Sequence, residues 1–297
     1  GISVQQTTDG GFIIAGQTDS YGAGLLDVYL IRTDQNGNKV WEKTFGGSDL
    51  SRGAFVQQTT DGGYIIAGDT QTPTNNFDAY LIKTDPNGNL VWEKTFGGSD
   101  VEYAGSVQQT TDGGYVFAGY TYLYKGGAYQ IYLVKTDQNG EEVWQNTFGG
   151  RGSEIGLEVR QTTDEGYIVV GDTQPEGIRY QNVCLIKTDQ NGNKVWGKIF
   201  GGLKRDDGSS VQQTMDGGYI IAGSKTVPRS NTDCYLVKTD QNGKKMWEKT
   251  FGEITKINDC FSVQQTTDGG YIAVGYSQRP GGYSDVYLVY YRPDNDK

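Results

Sequence analysis

Residues 56–68 read VQQTTDGGYIIAG, and residues 107–119 read VQQTTDGGYVFAG. The opening valine recurs at Val4, Val56, Val107, Val159, Val211 and Val263, in steps of 52, 51, 52, 52 and 52 residues. Six copies therefore account for residues 1–297, and the sequence predicts a single domain with nothing left over for a second fold. A period near 50 residues belongs to the range of propeller blades.

Each copy holds four strand-like segments. In the second, Phe55 to Thr59 form the first, and Thr60-Asp61-Gly62-Gly63 supply turn residues able to adopt positive φ. Tyr64 to Gly68 form a short apolar run suited to burial on both faces. After a loop that differs between copies come Asp78 to Lys83, the turn Asp85-Pro86-Asn87-Gly88-Asn89, and Val91 to Phe96, where Trp92, Lys94 and Phe96 share one face. The five tryptophans, Trp41, Trp92, Trp144, Trp196 and Trp247, fill one slot, each followed four residues later by a phenylalanine. A large ring recurring once per unit is suited to pack one sheet on the next. No segment shows the 3.6-residue period of a helical solenoid. The expectation is all-β: a six-bladed β-propeller of four-stranded antiparallel blades. The sixth copy runs from Tyr287-Leu288-Val289 into Tyr290-Tyr291-Arg292-Pro293 without a Gly-x-x-x-Trp strand. That blade should have three strands and an exposed edge, to be covered by a partner or a missing segment.

Gly37-Asn38-Lys39-Val40-Trp41, preceded by Thr33-Asp34, resembles the docking motif of quinoprotein-type propeller repeats, and the strand order of each copy resembles WD-repeat blades. The resemblance covers all six copies for architecture and five for the Gly-Trp pair. It implies packing, with the first strand of each copy lining a central channel and the tryptophan strand outermost. It also implies the company of secreted and cell-surface propellers.

Composition narrows the function. A formal net charge of −10 argues against nucleic acid, whose phosphates demand a basic footprint. Histidine is absent, which removes Ser-His-Asp and Cys-His catalysis and the commonest zinc ligand. Three cysteines, Cys184, Cys234 and Cys260, are an odd number without CxxC spacing and read as buried free thiols. No apolar run approaches the length of a membrane span. Without a starting Met or a leader, the chain reads as a mature product or an excised piece. No cofactor and no metal site is expected. The Asp34, Asn36, Asn38 alternation has its glycine at the wrong place for a calcium helix-loop-helix and reads as an Asn-Gly hairpin turn. The paired glutamines of the first strands read as the lining of a wet channel.

The TDGG and TDxNG turns fall on one face of the blades and are nearly verbatim repeats, whereas the second-to-third loops and blade links on the other face vary. Recognition is expected where geometry does not dictate the wording. On that face, Glu102, Glu154 and Asp206 precede their copies' valines by five residues, with Ser51 and Asn258 in the equivalent slots, and could meet a cation or a basic partner near the axis. Tyr21, Tyr122, Tyr124, Tyr129, Tyr180 and Tyr283 stud the loops beside Arg179, Arg229 and Arg279, a combination that suits sugar rings or protein partners. The expected function is a non-catalytic, extracellular or cell-surface binding, adhesion or scaffold module for carbohydrate or protein. The alternative is a glycan-acting enzyme using acids at the channel mouth. Six-bladed sialidases carry an Asp-box on the same third-to-fourth turn, which this sequence resembles with intervals one residue longer. Arg52, Arg179 and Arg205 stand available for their arginine cluster. A glycosidase would instead need a carboxylate pair such as Glu102 and Glu154 to converge.

Overall fold

The computed structural model describes residues 1–74, 76–124, 126–227, 232–253, 255–279 and 281–293. Among these the chain is all β, with no α-helix, and so no helix long and apolar enough to cross a membrane. It divides into two compact units, Gly1–Gly149 and Gly150–Lys297, each holding three consecutive sheets. The six sheets are six blades. Five have four antiparallel strands in chain order, and the sixth has three.

The second blade shows how the repeat folds. Its strands are Ser51–Gln58, Tyr64–Gln71, Phe77–Thr84 and Leu90–Phe96. At the first hairpin, Asp61 accepts bonds from the Thr59 hydroxyl and the Gly63 amide, and Gly62 takes the positive φ of 81°. At the third-to-fourth hairpin, the Asp85 carboxylate accepts the Asn87 and Asn89 amides, both at 2.8 Å, and Gly88 turns the chain at φ 76°. Gly88 is also held by its neighbour, since a Cβ there would meet the Trp41 ring of the preceding blade at 2.8 Å. The aspartates of the TDxNG turns thus spend their oxygens on the turn itself, the use the hairpin reading requires.

Within each unit, a blade's forward face packs on the rear face of the next. In the first unit, Ile13, Ala15, Val28 and Leu30 of blade one meet Val56, Tyr64, Ile66, Tyr80 and Ile82 of blade two. In the second unit, Ile220, Ala222 and Leu236 of blade five meet Val263, Tyr271, Ala273 and Val289 of blade six. The tryptophans lie edge-on to the tyrosine of the next blade: Trp41 on Tyr64, Trp92 on Tyr115, Trp196 on Tyr219 and Trp247 on Tyr271, with centroids 5.6–5.8 Å apart. Burial of these side chains, at about 25 cal/mol per Å² of apolar area, is the main drive for stacking blades.

The glutamines and the cysteines make contacts that the sequence did not predict. The paired glutamines act as stitches between blades. Gln5, Gln57 and Gln212 each accept, at 2.6 Å, the backbone amide of Gln58, Gln109 and Gln265 one blade on. The second glutamines reach back to the Thr8, Thr60 and Met215 amides. First strands lie side by side without a sheet ladder between blades, so their amides need side-chain acceptors. The cysteines also depart from the thiol reading: Cys234 of blade five and Cys260 of blade six form a disulfide, and only Cys184 is free and buried. Elsewhere the same place is filled by a glycine against a valine, Gly53 on Val28 and Gly208 on Val183, where a Cβ would approach to 2.9 and 2.6 Å. The cysteine pair occupies that close approach with a covalent bond.

Candidate functional site: an aromatic ladder on blades two and three

Copy three has the longest inner strands of the first unit: Val101–Gln109, Tyr115–Leu123 and Ala128–Thr136. Its second-to-third loop is correspondingly tight, with the Gly126 and Gly127 amides both bonding to the Leu123 carbonyl. The extension carries tyrosines past the edge of the core. Strand alternation sets Tyr120 and Tyr122 on one face, and register places Tyr122 opposite Tyr129 and Tyr120 opposite Tyr103.

The result is an unbroken chain of rings. Phe77 of blade two stacks on Tyr103 at 5.9 Å, Tyr103 meets Tyr120 at 4.8 Å, Tyr120 meets Tyr129 at 5.6 Å, Tyr129 meets Tyr122 at 4.9 Å, and Tyr122 meets Tyr124 at 5.6 Å. Arg52 lies over its inner end, 4.7 Å from the Phe77 centroid and 5.6 Å from that of Tyr103. Its Nε and Nη2 both donate to Asp69, at 2.8 and 2.7 Å, so the guanidinium is fixed flat and locally neutralised. Burial raises the Asp69 carboxyl above the usual carboxylate range, with Arg52 opposing, and burial beside Tyr103 and Asp69 pushes the Tyr120 phenol up to about 12. Tyr120 therefore remains a neutral hydrogen-bonding group at physiological pH. Tyr124 and Tyr129, the outer rings, are exposed.

On the other face of the same hairpin, Thr121 and Leu123 line a cleft of about 580 Å³ with Gly98, Asp100, Glu102 and Tyr132. Glu102 is 6% exposed, accepting bonds from the Thr121 hydroxyl at 2.7 Å and the Gly98 amide at 3.2 Å. Burial raises its pKa, and Asp78 and Asp100 add to the shift. The Tyr124 amide donates to Asp100, tying ladder and cleft to one blade link.

Glu154 and Asp206 do the same work in the second unit. Glu154 accepts the Gly150 amide and the Thr173 hydroxyl, and the buried Asp206 accepts the Thr226 amide, with burial raising its pKa. Each of the three acids is thus turned onto the link of its own blade. Among the described residues no group of three or more Asp, Glu or Cys is placed to hold a metal ion.

Of the other predicted positions, Tyr122, Tyr124 and Tyr129 belong to the ladder. Tyr21 stacks on Tyr29 in blade one. Arg179 lies 5.5 Å over Tyr180 in blade four, and Arg279 pairs with Asp285 beside the exposed Tyr283 in blade six. No ring contact or ion pair among the described residues joins these groups. Arg229 lies outside the described residues. The reasoning from sequence missed Phe77, Tyr103 and Tyr120. Their signal is substitution inside a strand: the Tyr103 slot holds Arg52, Ile155, Asp207 and Asp259 in other copies.

No protein-family model matches the chain, and no curated protein matches it. Among solved structures, it is similar to a protein of unknown function from Dyadobacter fermentans, with TM-score 0.63, 12% identity and coverage of 98% of this chain and 94% of the other. It is also similar to an ulvan lyase, a polysaccharide lyase bound to a GlcA(1-4)Rha3S chain, with TM-score 0.65, 8% identity and coverage of 98% and 80%. The WD40 domain of Pan2 from Neurospora crassa matches with TM-score 0.57, 11% identity and coverage of 96% and 76%. At these identities the likeness shows the fold alone, and that fold is the β-propeller.

Proposed function

We propose that this propeller is a non-catalytic carbohydrate-binding module, and that a saccharide lies along the ladder from Arg52 to Tyr129. The observation that carries the reading is the chain of ring contacts from Phe77 to Tyr124, capped by an arginine whose charge Asp69 already satisfies. Flat apolar ring faces beside hydroxyls suit the C–H faces and hydroxyl edges of sugar rings. The neutralised arginine and the nearby Asp100 and Glu102 suit a neutral glycan better than an acidic one. Residence outside the cytoplasm belongs to the same proposal and is supported by the disulfide, which oxidising compartments maintain.

The test is titration calorimetry against neutral oligosaccharides chosen from a glycan array. Tyr103→Ala and Tyr120→Ala are each expected to weaken binding roughly tenfold, the scale of one lost aromatic contact. Unchanged affinity in both variants would remove the ladder from consideration.

A catalytic reading has one supporting feature: Asp78 and Glu102 flank Gly97, and burial raises both carboxyls. Cleavage of a chromogenic glycoside that disappears in Glu102→Gln would favour it.

A further inference from the structure

Asp27 opens the third strand of blade one and is 1% exposed, yet its Oδ1 has no hydrogen-bond partner. Its Oδ2 accepts the Gly24 amide at 3.2 Å. A carboxylate so deeply placed, with one oxygen unanswered, calls for a compensating charge or donor.

What surrounds that oxygen is more oxygen. A Cβ on Gly24 would stand 2.4 Å from the Asp49 carbonyl oxygen, 2.6 Å from that of Gly47 and 3.3 Å from Asp27 Oδ1. A Cβ on Gly46 would stand 2.3 Å from Oδ1 and 3.1 Å from Ser51 Oγ. The two glycines thus keep open a cradle that a side chain would fill. Among the described residues neither carbonyl accepts a backbone bond, although the Ser51 amide beside them donates to Leu26. The buried Ser51 hydroxyl bonds to Thr70 at 2.8 Å and leaves Asp27 without a donor.

Other blade links settle the same slot differently. In blade four Asn182 takes the place of Asp27 beside Asp206, across Gly201, and neither keeps an orphaned buried atom. Blade two sets Asp78 against a second acid, Glu102, and blade five sets Asp233 against the Asn258 amide nitrogen. Blade one sets a buried carboxylate against neutral oxygens.

We infer that this cradle is a calcium site, held by Asp27 Oδ1, the Gly47 and Asp49 carbonyls and Ser51 Oγ, with water completing the shell. Calcium takes about six to eight oxygens at roughly 2.3–2.6 Å, accepts backbone carbonyls and tolerates irregular geometry, whereas magnesium demands a compact octahedron. Gly46, Gly47 and Asp49 are exposed, which gives the ion a way in. Bound there, it neutralises Asp27 and ties the loop of residues 22–26 to the link that leads into blade two. A single carboxylate sets a dissociation constant of about 0.1–1 mM, the range of extracellular calcium modules. Most of the donors are backbone, and backbone oxygens leave no mark in a sequence.

The test is titration calorimetry and thermal melting of the intact chain, stripped with a chelator, against calcium chloride. Wild type should bind in that range and melt higher in about 5 mM calcium than in chelator. Asp27→Asn keeps the shape and loses the charge. It should weaken binding roughly tenfold or more and abolish the melting shift, while melting no lower than wild type in chelator. Gly24→Ala, which puts a methyl group into the cradle, should also lose the shift, with circular dichroism as a check on folding. Magnesium at the same concentration should move the wild-type melt less. A wild type that neither binds calcium nor gains from it overturns the proposal, and so does an Asp27→Asn variant with wild-type affinity. An equal response to magnesium rejects calcium as the ion.

Discussion

Lys83 Nζ sits 2.8 Å from Asp61 Oδ2 and equally close to the Thr84 carbonyl, with its side chain only 4% exposed. Lys135 with Asp112, Lys187 with Asp164 and Lys238 with Asp216 repeat the arrangement, and Arg32 with Asp9 is its variant. Burial works to raise the Asp61 carboxyl, but bonds from Lys83, Thr59 and Gly63 hold it below the usual range. The lysine is inside and the carboxylate largely in water, so the two partners are not equivalent.

That asymmetry predicts unequal mutants. Asp61→Ala leaves a buried ammonium with a single carbonyl partner and should destabilise by about 3 kcal/mol. Lys83→Met removes the buried charge while its carboxylate can rehydrate, and should cost less than about 1 kcal/mol. Urea denaturation of both variants checks the order. Equal losses would show that the pair acts as a surface ion pair.

The Cys234–Cys260 bond closes a segment with a separation of 26 residues. Opening it with a reductant, or by Cys260→Ser, should cost about 3 kcal/mol through chain entropy. Cys234→Val with Cys260→Gly restores the valine-on-glycine contact of the other interfaces and should recover part of that loss. Thermal melts with and without reductant, on wild type and the double variant, separate the covalent share from packing.

Glu165 holds φ 64° at a turn where Gly10, Gly62, Gly113, Gly217 and Gly269 have φ between 79° and 87°. A left-handed residue with a Cβ costs roughly 1–2 kcal/mol, partly offset by the greater freedom glycine has when unfolded. Glu165→Gly is therefore expected to stabilise by about 0.5–1 kcal/mol, read as a higher melting temperature.

Asp172 is buried and accepts the Gly208 amide of the next blade at 2.9 Å. Burial, with Asp207 adding to it, pushes its pKa up to about 7, and the Gly208 bond and Arg205 oppose the shift. The folded state thus keeps a proton that the unfolded state loses near pH 4. Stability from this group is complete below pH 4, falls as pH rises to about 7 and is flat above, by at most about 4 kcal/mol in all. Asp172→Asn should flatten the profile and raise stability at pH 8. Parallel pH–stability curves for the two proteins would contradict the assignment.

The blades were legible because they are written six times: the Val anchors, the DGG turn and the Gly-Trp spacing mark every strand of the second copy to within a few residues. The three-stranded sixth blade was legible for the same reason, as a missing word in a repeated sentence. What escaped was anything that depends on which residues of different copies meet. An odd cysteine count hid the Cys234–Cys260 bond, since the partners lie on adjacent blades. Gln57 looked like channel lining because a polar residue on an inner strand gives no sign that a neighbouring strand offers it an amide. The ladder was half visible: Tyr122, Tyr124 and Tyr129 lie in a loop-flanking run, whereas Phe77 and Tyr103 join it only through blade packing.

The glutamine stitches carry an evolutionary corollary. Every such bond joins a side chain in one copy to a backbone amide in a neighbouring copy, and backbone amides carry no identity. A duplicated or deleted stretch of one period would therefore be accepted by whichever neighbours it acquired, without compensating mutation. Unequal recombination could lengthen or shorten such a gene while each product still folded, leaving selection free to choose the number of units.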